Sequence, residues 1–337
     1  MRVEPVEIHW NPDLPVFAKE EFLRAVGDDY GWLGGIDQSG TLRCILPFTI
    51  VRKFGFRLVR FRAETIPRGP GLELTDERVF LNGVVEHFRR AGADIVIPGT
   101  NNAIFRTYPD GADAAPYGSF VIDLQQSEDV LWRNIGKITR QNIGTAKRNG
   151  VSIREGAEFL EPAYDLIRET FRRSAIDFMD RGAFGRFVEG LGRHGTLLVA
   201  EYQGTAQTYC LFGFSDACAY AIYAGNILEQ HQGAMKLLQW EAIRHFRGLG
   251  VRKFDFVGAR INPEEGSKQE TINSMKRRFG AVLSEGFMWK YPLRPWRASA
   301  YTIGVRVMRG GDIVDQERHK LAGYSPTRQD PLSPTLA

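Results

Sequence analysis

Five basic residues on one predicted helix are the first candidates for chemistry. A helix predicted over 128–149 places Arg133, Lys137, Arg140, Lys147 and Arg148 within an arc of about 100°, with Leu131, Ile135, Ile138 and Ala146 on the opposite side. Such a stripe suits the phosphates of an RNA backbone or a diphosphate, and it equally suits a solvated face. Gly144 falls in the arc, where a missing side chain lets a backbone come close. A second basic cluster is Lys276, Arg277 and Arg278. Arg68 stands in a rigid loop, Ile66-Pro67-Arg68-Gly69-Pro70-Gly71, where it can bind a phosphate or brace the loop. Asp255 closes a predicted strand as a polar anchor or a base, the structural role being favoured. No Ser, Cys or His sits in a nucleophile motif, and the six histidines show no metal spacing.

The elements that must position these groups occur twice. His87-Phe88-Arg89 precedes Gly92 and the apolar run Asp94-Ile95-Val96-Ile97-Pro98-Gly99. His245-Phe246-Arg247 precedes Gly250 and Lys253-Phe254-Asp255-Phe256-Val257-Gly258. Each copy reads as a helix end, a Gly stop and a buried strand. The equivalence of His87 and His245 favours a role in the fold. In the first copy we expect a helix at 16–26, strands at 31–36, 41–51 and 56–63, a helix at 76–90, and strands at 93–98 and 119–124. In the second we expect helices at 162–174 and 184–193, strands at 196–202, 206–215 and 217–224, a helix at 233–249 and a strand at 252–257. Two facing units imply a cleft suited to a large two-part substrate.

A 337-residue chain of 43% apolar and 25% charged residues predicts two soluble domains. No long uncharged apolar run predicts a membrane span, and the first residues lack the apolar core of a signal peptide. Cys44, Cys210 and Cys218 read as buried free thiols, which suits a reducing cytoplasm. The formal charge of +4 neither demands nor excludes nucleic acid.

Four stretches, met in order, resemble the Fem family, the aminoacyl-tRNA-dependent transferases of peptidoglycan bridge synthesis. They are Ile66-Pro67-Arg68-Gly69-Pro70; Arg140-Gln141-Asn142-Ile143 with Ala146-Lys147 and Gly150-Val151; Phe254-Asp255-Phe256-Val257-Gly258; and Met275-Lys276-Arg277-Arg278-Phe279-Gly280. The resemblance spans roughly residues 15–310. It implies an α/β (α+β) fold of two tandem GNAT-like acyltransferase domains without a coiled-coil arm. The first would comprise 1–150 plus 281–310 and hold the acceptor; the second, 151–280, would hold the donor. Residues 311–337 are expected to be a flexible tail.

The resemblance further implies transfer of an amino acid from aminoacyl-tRNA to an amine of a peptide-like acceptor, with no cofactor and no stable membrane insertion. Lys276 would match the family lysine associated with the tRNA acceptor end and the reacting ester, and Tyr223 a tyrosine near the acceptor. Arg173 would match an arginine that holds a diphosphate. Arg133, Lys137, Arg140, Lys147 and Arg277 would meet tRNA phosphates, and Arg68 and Asp255 would help bind substrate. Met275 departs from the family's usual Phe. Leu23-Arg24-Ala25-Val26-Gly27 has no lysine where peptidoglycan-precursor members carry one, so the acceptor stays open. Acetyl-CoA or another acyl-CoA is the alternative donor: Gln230-His231-Gln232-Gly233-Ala234-Met235 half-matches a GNAT pyrophosphate loop, with Met where a small residue belongs. A non-catalytic scaffold is the second alternative.

Overall fold

A computed structural model describes residues 1–322. Chain order begins with β1 (Arg2–Val6), a short 3-10 turn at Val16–Ala18, and α1 (Glu20–Val26). It continues with β2 (Asp29–Ile36), β3 (Leu42–Lys53), β4 (Phe56–Phe61), β5 (Ile66–Pro67), α2 (Leu74–Arg90) and β6 (Ile95–Val96). Then come β7 (Asp113–Asp123), α3 (Glu128–Asn134), α4 (Lys137–Arg148), β8 (Ser152–Glu155), α5 (Leu160–Arg172) and α6 (Arg181–Leu191). The second meander is β9 (Gly195–Tyr202), β10 (Thr205–Phe214) and β11 (Ala219–Asn226), followed by α7 (Ala234–Gly248) and β12 (Lys253–Asp255). The described chain ends with α8 (Lys268–Arg277), β13 (Val282–Pro292), α9 (Pro295–Arg309) and α10 (Ile313–Ala322).

The repeated phrase folds the same way twice. After α2, Ala91, Gly92 and Ala93 donate their N–H groups to His87, Arg89 and Phe88; after α7, Leu249, Gly250 and Val251 donate to His245, Arg247 and Phe246. Gly92 and Gly250 take φ of 73° and 81°, the left-handed conformation that lets the chain reverse at each helix end. Phe88 and Phe246 are buried, each in its own core. The strand after each helix pairs parallel with the third strand of its meander, β6 with β4 and β12 with β11. Each half is therefore an antiparallel meander, a crossover helix and a late parallel strand.

The two halves share one sheet. Its order is β1-β2-β3-β4-β6-β13-β7-β12-β11-β10-β9-β8, with β5 beside β3. β13 joins them: Val282–Lys290 pair with β7, and Tyr291 and Pro292 turn to Val96 and Ile95. Trp289 brings its indole into the first core, with ring centroids 5.3 Å from Phe61 and 5.4 Å from Phe105.

Core packing divides the chain differently from sequence order. Phe120, Ile122, Leu124, Leu131, Ile135, Ile143 and Ala146 pack with α7, so 120–146 lie in the core of the second half. Val16, Phe17 and Phe22 join a separate cluster of the second half, with Phe159, Phe184 and Phe187. A Cβ on Gly190 of α6 would lie 2.8 Å from the Ala25 Cβ, which explains a glycine at that helix crossing. The tail expectation is corrected for its first part. Ile313–Ala322 is helical, Val314 is fully buried, and the Lys290 ammonium meets Asp312 and Asp315 at 2.9 and 2.7 Å. Residues 323–337 of that expectation lie outside the described residues.

Candidate active site

A cavity of about 170 Å³ opens between the halves. The first half contributes Arg60 and Arg62 from the end of β4, and Thr100 to Asn102 from the chain after β6. The second contributes Ile222 and Tyr223 from β11 and Val257 from just beyond β12, with Phe17, Phe22, Met179 and Phe187 closing one side. The opening follows from strand geometry. β11 and β12 pair only at Ala219–Phe254 and Tyr220–Asp255; β11 then runs on to Asn226 while the partner turns away at Val257. Parallel strands that part in this way leave a crevice beyond their carboxyl ends.

Tyr223 sits half-buried in that crevice. Its ring meets Phe178 edge-on at 5.1 Å and packs against Phe187 at 5.5 Å. Burial raises its phenol pKa, and the charges of Arg60 and Arg62 oppose that rise.

Lys276, near the end of α8, is 5% exposed and lies behind the wall. Its ammonium donates to the Val257 carbonyl at 2.7 Å and the Gly258 carbonyl at 2.5 Å. Both residues take positive φ, 39° and 64°. For Val257 this is a strained backbone, since a β-branched side chain disfavours that region. Burial lowers the Lys276 pKa to about 8, with the Asp255 charge opposing the fall. Asp255 braces the same turn from the other side. Its carboxylate accepts from the Ser119 hydroxyl and, at 2.7 Å, from the Val257 N–H. Burial raises its pKa, and these bonds and Lys276 hold it down. The geometry directs Asp255 at backbone rather than into the cavity.

The basic stripe is broken. The helix expected over 128–149 divides at Ile135-Gly136, where the Gly136 N–H donates to the Arg278 carbonyl at 2.8 Å. Arg140 folds back onto the freed carbonyls of Arg133 and Ile135 and is used in capping α3. Lys147 pairs with Glu241 at 2.7 Å. What remains is a cluster at the start of α4. Arg133 and Lys137 are exposed there, and the Gly136 contact brings in exposed Arg277 and Arg278. Half-buried Lys236 has its pKa lowered by burial and then by Arg278. The Arg277 guanidinium covers the Phe120 ring at 5.2 Å. Gly280 takes φ 78° against Asn134, so Phe279-Gly280 locks α8 to the α3–α4 break.

Two further candidates lie away from the cavity lining. Arg173 ties α5 to β11, donating to Thr170 Oγ1 at 2.8 Å and to the Asn226 carbonyl. Arg68 is exposed, and its loop is held by the Arg68 N–H to the Arg43 carbonyl at 2.8 Å. The half-matched pyrophosphate loop is covered at Gly233 and Ala234. A Cβ at Gly233 would run into the Asn142 carbonyl of α4, and the His231 N–H already donates to Gln207 Oε1 at 2.8 Å. A carbonyl oxygen aimed at this helix start opposes a phosphate there.

Arg60 and Arg62 of this lining were not foreseen from the sequence. The spacing Arg60-Phe61-Arg62-Ala63-Glu64 was the available signal. Alternation of charge with buried apolar residues usually marks a solvated strand face; here the second half covers that face. Burial, then the Asp255 charge, helps lift the half-exposed Glu64 to about 7. Cys44, Cys210 and Cys218 are buried free thiols whose pKa values burial pushes up. Among the described residues no cluster of His, Cys, Asp or Glu could hold a metal, and no helix is long and apolar enough to cross a membrane.

The FemAB family matches residues 108–208, a stretch running from before β7 into β10. The crystal structure of FemX superposes with a TM-score of 0.60 at 13% identity, covering 86% of this chain and 97% of that one. The C-terminal domain (DUF2156) of a putative lysylphosphatidylglycerol synthetase from Agrobacterium fabrum gives a TM-score of 0.52 at 12% identity, covering 86% and 92%. Comparison with curated proteins gives no match. The doubled meander–helix–strand unit is a fold of two GNAT-like units in tandem, shared with FemX, and the segment 108–208 within it is similar to the FemAB family.

Proposed function

We propose that the chain is an aminoacyltransferase that moves an amino acid from aminoacyl-tRNA to the amine of a peptide-like acceptor. The observation that carries this reading is the cavity shared by two GNAT-like halves, Tyr223 and Val257 on one side and Arg60 and Arg62 on the other. The family resemblance over 108–208 supports it. In this reading the amine attacks the ester carbonyl, the new C–N bond forms, and the C–O bond to the tRNA ribose breaks. The amine's proton passes to the leaving ribose hydroxyl. An activated ester needs placement and oxyanion stabilisation more than a protein nucleophile, which suits a cleft without one.

Tyr223 offers a phenol O–H inside the cavity. Lys276 acts as a positioning group: it holds the Val257-Gly258 turn that forms one wall. Arg133, Lys137 and Arg277, joined by Arg278 and Lys236, form the phosphate-binding surface for tRNA, while Arg140 and Lys147 serve the scaffold. Arg173 and Asp255 support substrate binding indirectly, through β11 and the Val257 turn, and Arg68 is a peripheral phosphate contact. We divide the chain at about 112, with β13 and α9 returning to the first half, and assign the first half to the acceptor. No resident cofactor is required, and the covered loop at Gly233 disfavours acyl-CoA.

Binding to charged tRNA and to acetyl-CoA, measured separately, tests the donor. We expect saturable tRNA binding and no acetyl-CoA binding; the reverse would overturn the reading. Lys137→Glu with Arg278→Glu should weaken tRNA binding and flatten its salt dependence, by about 0.7–0.9 in the logarithmic slope for each phosphate no longer neutralised. An unchanged slope would remove this cluster from the RNA interface.

A further inference from the structure

Two guanidinium groups meet in the cavity without a carboxylate. Arg62 is 7% exposed; it donates from Nε to Thr49 Oγ1 at 2.9 Å and from Nη2 to the Val26 carbonyl at 2.8 Å. Arg60 is half-buried and donates from Nε to the Pro98 carbonyl at 3.3 Å. Neither has an ion-pair partner among the described residues. Burial lowers both pKa values, and Arg62 falls to about 9, with the Arg60 charge contributing. Each guanidinium carries five N–H donors in a planar fork, so the pair retains donors beyond these three bonds. Buried charges are normally paired, because desolvating a lone one is costly. An uncompensated pair lining a cavity is therefore incomplete without an anion.

The surroundings restrict that anion. The cavity of about 170 Å³ is smaller than the roughly 300–1,000 Å³ typical of drug-sized ligands. Its other walls are largely apolar, including Phe17, Phe22, Phe187, Met179 and Ile222. A short aliphatic group ending in a planar carboxylate meets both features, since the fork of an arginine matches a carboxylate bidentately. We propose that Arg60 and Arg62 form a carboxylate seat, so that the cleft selects a reactant of amino-acid size bearing a free carboxylate. This deepens the transferase reading and rests on it for the identity of the reactants. The carboxylate has two possible sources, the main-chain carboxylate of the acceptor or an acidic side chain on the donated amino acid.

The test is thermal shift and calorimetric titration of the whole chain at constant ionic strength. The probes are L-alanine, L-alaninamide, the α-methyl ester of L-glutamate, and inorganic phosphate. Binding of alanine but not alaninamide assigns the seat to the acceptor. Binding of the glutamate ester alone assigns it to an acidic donor side chain. In either case Arg60→Met should weaken binding by about 10-fold or more, while the unliganded variant melts no lower than wild type because a lone buried charge is gone. Arg62→Lys, which keeps the charge but loses the fork, should also weaken it. Failure of every carboxylate to bind, equal binding of alaninamide, tighter binding of phosphate, or full binding by Arg60→Met would each overturn the proposal. Transfer from charged tRNA without carboxylate binding would sink this inference alone. Carboxylate binding without tRNA-dependent transfer would sink only the transferase reading.

Discussion

Lys276→Met is expected to cut amide-bond formation by about 10²-fold while the chain still folds. The ammonium of Lys276 is the donor that holds the Val257 and Gly258 carbonyls, and both residues stand at positive φ. Without it the strained turn relaxes, and Val257 shifts at the cavity wall. A displacement near 1 Å is enough for a loss of that order. The stability change is smaller, because two carbonyls lose a donor while a costly buried charge disappears. A pH signature separates these effects. The folded pKa, about 8, lies below the ordinary lysine value of 10.5. The unfolded chain therefore binds the proton more tightly, and this group's contribution to stability rises as pH goes from about 8 to 10.5. Denaturation of both proteins across that window should show the rise in wild type and its absence from Lys276→Met. Equal pH slopes, or full transfer by the variant, would remove Lys276 from the role assigned to it.

Trp289→Ala should lower stability by about 3–5 kcal/mol. The indole comes from the last strand and is 2% exposed in the core of the first half, between Phe61 and Phe105. Truncation opens a cavity at the junction where β13 leaves β7 for β6. Denaturant unfolding followed by tryptophan fluorescence and circular dichroism measures the change. A loss below about 1 kcal/mol would mean that the C-terminal strand contributes little to the first core.

The duplication was legible because both copies carry the same helix-ending grammar, His-Phe-Arg followed by a glycine in the left-handed conformation. Period-2 apolar runs located both meanders for the same reason. β1 and β8, by contrast, are short edge strands with partly exposed residues, and their pattern does not stand out from loops. The single helix over 128–149 failed at Gly136. Helical periodicity continues across the break, while the cause of the break, the Arg278 carbonyl, lies over a hundred residues away. That distance also scattered the basic stripe, because Arg140 found carbonyls to cap and Lys147 found Glu241.

The site was partly visible. Tyr223 and the Val257 turn could be placed from the ends of two predicted strands, and Lys276 from its family motif. Arg60 and Arg62 could not. Whether an arginine on a strand faces water or a second domain depends on tertiary packing, and in isolation β4 reads as a strand with a wet face. The C-terminal helix was missed because its apolar residues are few. It docks through Val314 and through Asp312 and Asp315 around Lys290, pairings made only in three dimensions.

In the proposed reaction an amino acid leaves a tRNA ester for an amine within the shared cleft. Its most direct test is a single-turnover assay in which the whole chain is mixed with tRNA charged with labelled amino acids and a set of amine acceptors, with acetyl-CoA tested in parallel. Label is expected to pass from tRNA to a soluble amide only when chain and amine are both present, and the transfer to fall about 10²-fold with Lys276→Met. Acetylation of those amines from acetyl-CoA, with the tRNA ester left intact, would contradict it.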